Sequence, residues 1–434
     1  MFWICEIEIS MVDSSKGISS STWFWTVLPI NASLGGLLVV MPLIILALGG
    51  SVVSVGIAYT LYHLGGILGS IFWGYVIDQY HMRKLILTVS YLGTALLILS
   101  FFFTTNLFLL TLLFGLMSFF IVAHLPVNSM LLMESNPRES WSGLYSRMRT
   151  LTHVGFTVGI APGIFWASFF DLEYYFLLLF AFAVLSVVLG QILVREPSIV
   201  LERKAIAHAE ESLVHRLHHV TFSISTFFPK VPRITEFRRF LRLTKSSLTH
   251  RLPLLYAMVF FSLLGGSIFI TSYIPFLSKE GVSYANVFII IFIMEVVGTV
   301  VLPFVGRYSK KKGDESATQL ALNTRLVSMI LASILALSVF AVFEQSLLIL
   351  ALFSASFAIF YASSSSQLFK SLPDGKQGEL LGVYSAVGGL ACLMGSFASG
   401  YLSVSLGFFA TFASAAMAII LALVVLQALK KTSI

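Results

Sequence analysis

Apolar residues fill this chain in runs of about twenty or more, parted by short polar breaks, and the length of those runs predicts the elements. A helix needs roughly 20 apolar residues to cross a bilayer. Runs of that order cover 23–50, 52–77, 85–103, 107–133, 144–170 and 174–194, and then 254–277, 287–308, 320–342, 347–369, 381–404 and 406–428. They predict twelve membrane-spanning helices, six on each side of one long polar stretch. The expected organisation is a tail at 1–22, a first six-helix bundle at 23–195, a linker at 196–252 and a second bundle with a short tail at 253–434.

Short patterns recur across that midpoint in the same order. Ser33-Leu34-Gly35-Gly36 returns as Leu263-Leu264-Gly265-Gly266, Gly74 as Gly306, and Gly143-Leu144-Tyr145-Ser146 as Gly382-Val383-Tyr384-Ser385. A fixed order at nearly constant spacing marks a duplicated half. The fold expected is therefore an all-α integral membrane protein of two pseudo-symmetric six-helix bundles.

Composition agrees: 57% of the 434 residues are hydrophobic and 11% charged, which excludes an ordinary soluble domain. The charges fall unevenly. Arg83, Lys84, Arg138, Arg147, Arg149, Arg307, Lys310 to Lys312, Lys370, Lys376, Lys430 and Lys431 all lie on one side if the N-terminus is cytoplasmic. The opposite loops hold Asp171, Glu173, Glu344 and the pair Lys279-Glu280. The positive-inside rule then places both termini in the cytoplasm, in a multi-pass protein of the plasma membrane. The net charge of +7 reads as topology, and no nucleic-acid partner is expected.

Glu6, Glu8 and Asp13 make the start acidic, unlike a signal peptide, and Met1 and Met11 are both candidate starts. Cys5 and Cys392 stand far apart and suggest neither a disulfide framework nor a metal site. The linker is basic and should lie along anionic headgroups. Its His208, His215, His218, His219 and His250 raise a metal-sensing alternative, but no carboxylate or thiol stands at ligand spacing. No cofactor or metal is expected. Nor do the catalytic patterns of zinc proteases, serine hydrolases or nucleotide-binding loops occur, so an enzyme is not expected.

Ionisable groups inside a bilayer are costly and are functional candidates by default. Glu295 is the one carboxylate this reading places at mid-membrane. It precedes Gly306 by the same interval that separates His63 from Gly74, so the two occupy equivalent positions of the duplicated halves.

The loop after the second span reads Gly74-Tyr75-Val76-Ile77-Asp78-Gln79-Tyr80-His81-Met82-Arg83-Lys84. It resembles the loop signature of the major facilitator superfamily, Gly-x-x-x-Asp-x-x-x-x-Arg-Lys, at the place where that family carries it. Together with twelve spans, the duplication and the basic linker, the resemblance covers essentially the whole chain. It implies a gating loop built on Gly74, Asp78, Arg83 and Lys84, with Asp78 set against the start of the eleventh helix. In the second half Lys310 stands where Asp78 does in the first, so gating is expected to be asymmetric. Gly155, Gly159, Pro162 and Gly163 are similar to the glycine and proline pattern of the family's drug and proton antiporters. The same glycines serve equally for close packing at the interface of the halves. The family's exporters carry a proton-coupling arginine in the fourth span, and 107–133 has none.

The resemblance also implies that helices two and eight border the interface between bundles. There His63 and Glu295 are expected to face one cavity as a proton-titrating pair, the alternative being a static buried pair. Asn31, His124, Asn128, His153, Tyr361 and Gln367 fall on helices that line the family's central cavity. Each is a substrate-contact candidate, with interhelical hydrogen bonding as the alternative.

The expected function is a secondary transporter, most simply a monomer, moving a small solute by alternating access with protons as coupling ion. Efflux of an amphipathic compound is favoured over an uptake carrier or uniporter for a polar metabolite. A receptor or scaffold on the same fold is the third alternative. An organic-anion carrier should show a deeply buried Arg or Lys, and this reading sets Arg325 close to the cytoplasmic end of span nine.

Overall fold

A computed structural model describes residues 22–80, 82–136, 141–196, 251–338, 340–371 and 377–431. Twelve helices run through them. In the first half they are α1 (Val27–Ala47, entered by a 3-10 turn at Thr22–Thr26), α2 (Val52–Gln79), α3 (Arg83–Phe102), α4 (Leu107–Ser135), α5 (Trp141–Phe169) and α6 (Tyr175–Leu193). The second half holds α7 (Arg251–Lys279), α8 (Tyr284–Lys312), α9 (Asp314–Ser338), α10 (Val342–Ser371), α11 (Gln377–Ser405) and α12 (Gly407–Lys431). Eleven of them are long and apolar enough to cross a membrane; α5, with Arg147, Arg149 and His153 in its first half, is the exception. The linker histidines lie outside the described residues.

Polar residues set the helix ends. Ser51 and Ser54 form a reciprocal capping box at the start of α2, and Asn106 and Ser283 accept from the third backbone N–H of α4 and α8. Gly313 stops α8 at a φ of +86°, where any other residue would be strained.

The fourth span was expected to be unbroken from 107 to 133. The structure interrupts it with a turn at Val122 and Ala123. Pro126 accounts for this, because its ring collides with the carbonyl four residues back, that of Val122. Ser90 Oγ donates to the carbonyls of Phe120 at 2.9 Å and Ile121 at 3.5 Å beside the break.

The packing repeats between the halves. In the first, α1 is enclosed by α5 and α6, while α4 packs on α2 and α3, and α3 on α6. In the second, α7 is enclosed by α11 and α12, while α10 packs on α8 and α9, and α9 on α12. Each relation in one half has its counterpart in the other, as the duplicated sequence requires. Across the halves α2 packs on α11 and α5 on α8, two contacts related by the same pseudo-symmetry.

Candidate functional site

The halves close on one another most tightly at one end. Near the start of α2, Gly56 lies against Ser396 and Gly400 of α11. Near the end of α5, Gly163 lies against the ring of Phe288 on α8, which also meets Tyr175 edge-on at 5.5 Å between centroids. A side chain at Gly56 or Gly400 would strike backbone, so the seal is a backbone approach. Among the described residues the opposite end shows no such backbone approach. Gly74 on α2 and Gly306 on α8 face open space. There Arg149 of α5 reaches Tyr361 of α10, with Nη2 donating to the phenol oxygen at 3.2 Å.

Between these ends lies a cavity of about 240 Å³, and His63 and Glu295 both line it. They enter from α2 and α8, near the middle of each helix, so the register of the duplicated sequence brought them to one space. The Glu295 carboxylate makes no hydrogen bond or ion pair among the described residues; only its backbone carbonyl is engaged, by Thr299 Oγ1 at 2.9 Å. Most of the remaining wall is apolar, with Leu263, Ile270, Met294, Phe353 and Phe357.

A third ionisable group belongs to the cavity. Arg325 was expected near the cytoplasmic end of its span. The structure sets it eleven residues into α9, about 16 Å from the start of the helix, and fully buried. The apolar run starts at 320, whereas the helix itself starts at Asp314, directly after Gly313. Arg325 Nη1 donates to the Ser262 hydroxyl at 2.7 Å and its carbonyl at 3.3 Å, and Nε to Ser356 Oγ at 3.3 Å. The rings of Phe360, Phe353 and Phe357 surround the guanidinium at 5.1, 5.6 and 5.6 Å.

A second cavity of about 240 Å³ opens toward the looser end and is lined by His124, Asn128, Arg149 and Tyr361. His124 stands at the break in α4, where its ring bonds the carbonyl of Ile121. Its first duty is thus to the interrupted helix.

A family model of the Major Facilitator Superfamily matches residues 24–324, well over half the chain. The chain belongs to the Major Facilitator Superfamily. No curated protein sequence matches it. Among solved structures it is similar to the nucleoside transporter NupG, with a TM-score of 0.69 at 14% identity over 95% of this chain and 99% of that one. It is similar also to a POT family transporter in complex with thioalcohol conjugated peptide (TM-score 0.73, 13% identity, 94% and 95% coverage). A third is the xylose transporter XylE from E. coli in a partially occluded inward open conformation (0.64, 16%, 93% and 97%). At these identities the likeness shows the facilitator fold.

The facilitator loop holds the first bundle together. Arg83 is buried, its Nη2 and Nε donating to Glu134 at 2.9 and 3.3 Å and its Nη1 to the Ile77 carbonyl at 2.6 Å. Lys84 Nζ donates to the Gln191 carbonyl at 2.7 Å. Glu196 accepts from the backbone N–H groups of Arg83 at 3.1 Å and Lys84 at 2.8 Å. The Asp78 side chain lies outside the described residues.

The remaining candidates disperse. Asn31 is buried and donates to Val27 in its own helix at 2.7 Å. His153 lines neither cavity. Gln367 ties α10 to α9, with Nε2 donating to Thr318 Oγ1 at 2.6 Å and to the Asp314 carbonyl at 3.2 Å. Gly155 and Gly159 face the backbone of Leu28 and Ala32, so their close approach joins α5 to α1 inside the first bundle. Gly163 alone of the three meets the other half, and it directly follows Pro162 in α5. Among the described residues no cluster of His, Cys, Asp and Glu is fit to hold a metal.

Proposed function

We propose that the protein is a proton-coupled secondary carrier that moves a small amphipathic solute through the cavity between its halves by alternating access. One observation carries the reading: two titratable residues at equivalent positions of the halves, His63 and Glu295, line the same space, and the carboxylate is unengaged. A charge there is expensive to bury, so a proton on Glu295 is exchanged most readily when the cavity is open to water. That ties protonation to which end is open, and hence to carriage. Arg325 of α9 and Cys392 of α11 are the other titratable groups in the wall; those of α5, Arg149 and His153, stand outside it. α7 and α10 contribute apolar, glycine and serine residues.

The basic loops support cytoplasmic termini and a plasma-membrane location, and the loosely closed end is then the cytoplasmic one. Residues 196–252 serve as the tether between bundles in this reading, and the carrier works as a monomer. The sequence set an organic-anion carrier aside for want of a deep cation, and Arg325 removes that ground.

Proteoliposomes carrying an internal pH dye test the proposal. A panel of amphipathic compounds and polar metabolites should evoke proton movement in wild type, and Glu295→Gln should abolish it. The sense of the imposed gradient that drives accumulation reads the direction. Unchanged proton-linked transport in Glu295→Gln would remove Glu295 from the mechanism, and no flux with any compound would favour a receptor or scaffold.

A further inference from the structure

Arg325 is a buried cation whose surroundings are neutral. Two serine hydroxyls, one carbonyl and three phenyl faces attend it, and its Nη2 has no hydrogen-bond partner. Guanidinium does not shed its proton in proteins. Hydroxyls and ring faces ease its desolvation but leave its charge uncancelled, and an uncompensated buried charge is strongly unfavourable. Glu295 lines the same cavity, yet no ion pair joins the two residues. The wall beside Arg325 is otherwise apolar and aromatic, and the space equals roughly eight waters' share of the liquid.

We propose that Arg325 is the docking group for an anionic substrate: a small amphipathic acid whose carboxylate or sulfonate meets the guanidinium while a compact apolar or aryl body lies against Met294, Phe353 and Phe357. The substrate class is new; the carriage it serves rests on the function proposed above. Charge balance then couples the anion to a proton. In the empty cavity an ionised Glu295 balances Arg325 in net charge across the space without pairing with it. When the acid anion docks it takes over that role, and Glu295 takes up a proton from the bulk solution by way of the cavity. Arg325 and Glu295 sum to zero before binding, and Arg325, the bound anion and protonated Glu295 sum to zero after it, so one proton travels with each anion.

The test is isothermal titration of the full-length protein in nanodiscs with 3-phenylpropionate and p-toluenesulfonate against 3-phenylpropionamide and p-toluenesulfonamide. Each acid should bind about tenfold or more tightly than its amide, as expected for a charge-assisted contact in a dry site. Arg325→Gln should erase that preference and Arg325→Lys restore part of it. Heats in buffers of different ionisation enthalpy should report proton uptake with the acid in wild type and none in Glu295→Gln. Equal binding of acid and amide, binding of neither, or an acid preference that survives Arg325→Gln overturns the proposal. Should Arg325→Gln fail to fold, the wild-type ratio of acid to amide decides by itself. Flux of compounds without acid preference would remove the anion site and keep the carrier. Acid preference without flux would do the reverse.

Discussion

The two halves fasten their loosely closed ends with the same contact in opposite polarity. In the first, a base opens α3 and an acid ends α4, Arg83 with Glu134 at 2.9 Å. In the second, an acid opens α9 and a base ends α10, Asp314 with Lys370 at 2.6 Å. The second arrangement suits the helix dipoles, with negative charge at an N-terminus and positive charge at a C-terminus. The first opposes them, and its neighbours supply the remedy. Glu196 brings a carboxylate to the free N–H groups of α3, and the Arg83 guanidinium also meets the last turn of α2 at the Ile77 carbonyl. What duplication kept is a bridge between corresponding helices. The sign of each end was free to change where a third residue compensated.

Burial separates the two bridges further. The Arg83 side chain is 3% exposed and that of Glu134 19%, whereas Lys370 is 71% exposed and Asp314 8%. Breaking the first should therefore cost far more. Arg83→Ala leaves Glu134 without its cation, while Glu196 keeps its backbone donors, and is expected to destabilise the protein by about 3–5 kcal/mol, the range for a broken buried pair. Thermal unfolding in detergent, followed by intrinsic fluorescence, checks this. A loss no larger than that of the exposed partner in the second half would erase the distinction.

Much of this was legible before any coordinates. The twelve helices follow from the long apolar runs, although α5 falls short of the apolarity of the other eleven, and the shared cavity of His63 and Glu295 follows from register, because duplicated halves pack alike. The misses share a cause. Pro126 stood in the sequence, but the partner beside its break was not legible in it: Ser90 on another helix donates to the carbonyls of Phe120 and Ile121 there. Arg325 lies deeper in its helix than the apolar run implies, because α9 starts at Asp314, six residues before the run, directly after Gly313 ends α8. The glycines of α5 announced close packing without naming their partner, which is α1 for Gly155 and Gly159 and α8 for Gly163. The Arg83 and Glu134 bridge spans residues far apart in the chain, and no local pattern marks it.

Asp314 sharpens the comparison, since its carboxylate gathers several partners at once. It accepts from Ser309, from Ser366 at 2.7 Å and from Lys370 at 2.6 Å. Asp314→Ala removes those bonds and the favourable charge at the start of α9, and leaves a lysine that water already solvates. The expected cost is about 1–2 kcal/mol, that of losing a helix-starting acid. In the same unfolding assay it should fall between Arg83→Ala and the substitution of its lysine partner. A larger loss than that of Arg83→Ala would mean that the dipole-matched bridge carries more of the fold.

Lys370→Ala is the smallest effect and the most discriminating. The ammonium stands mostly in water, so its pairing with Asp314 yields little Coulomb energy, and salt screens it. Asp314, 8% exposed, keeps its two serine donors and the positive N-terminal end of α9, which hold its charge once the lysine is gone. The expected loss is about 1 kcal/mol or less, and raising the salt concentration should shrink the difference from wild type. Arg83→Ala should show little such dependence, because its pair is shielded from the solvent that carries the ions. Matching salt dependence in the two variants would mean that water reaches both bridges alike, and that their opposite polarity, rather than their burial, is the difference between the halves.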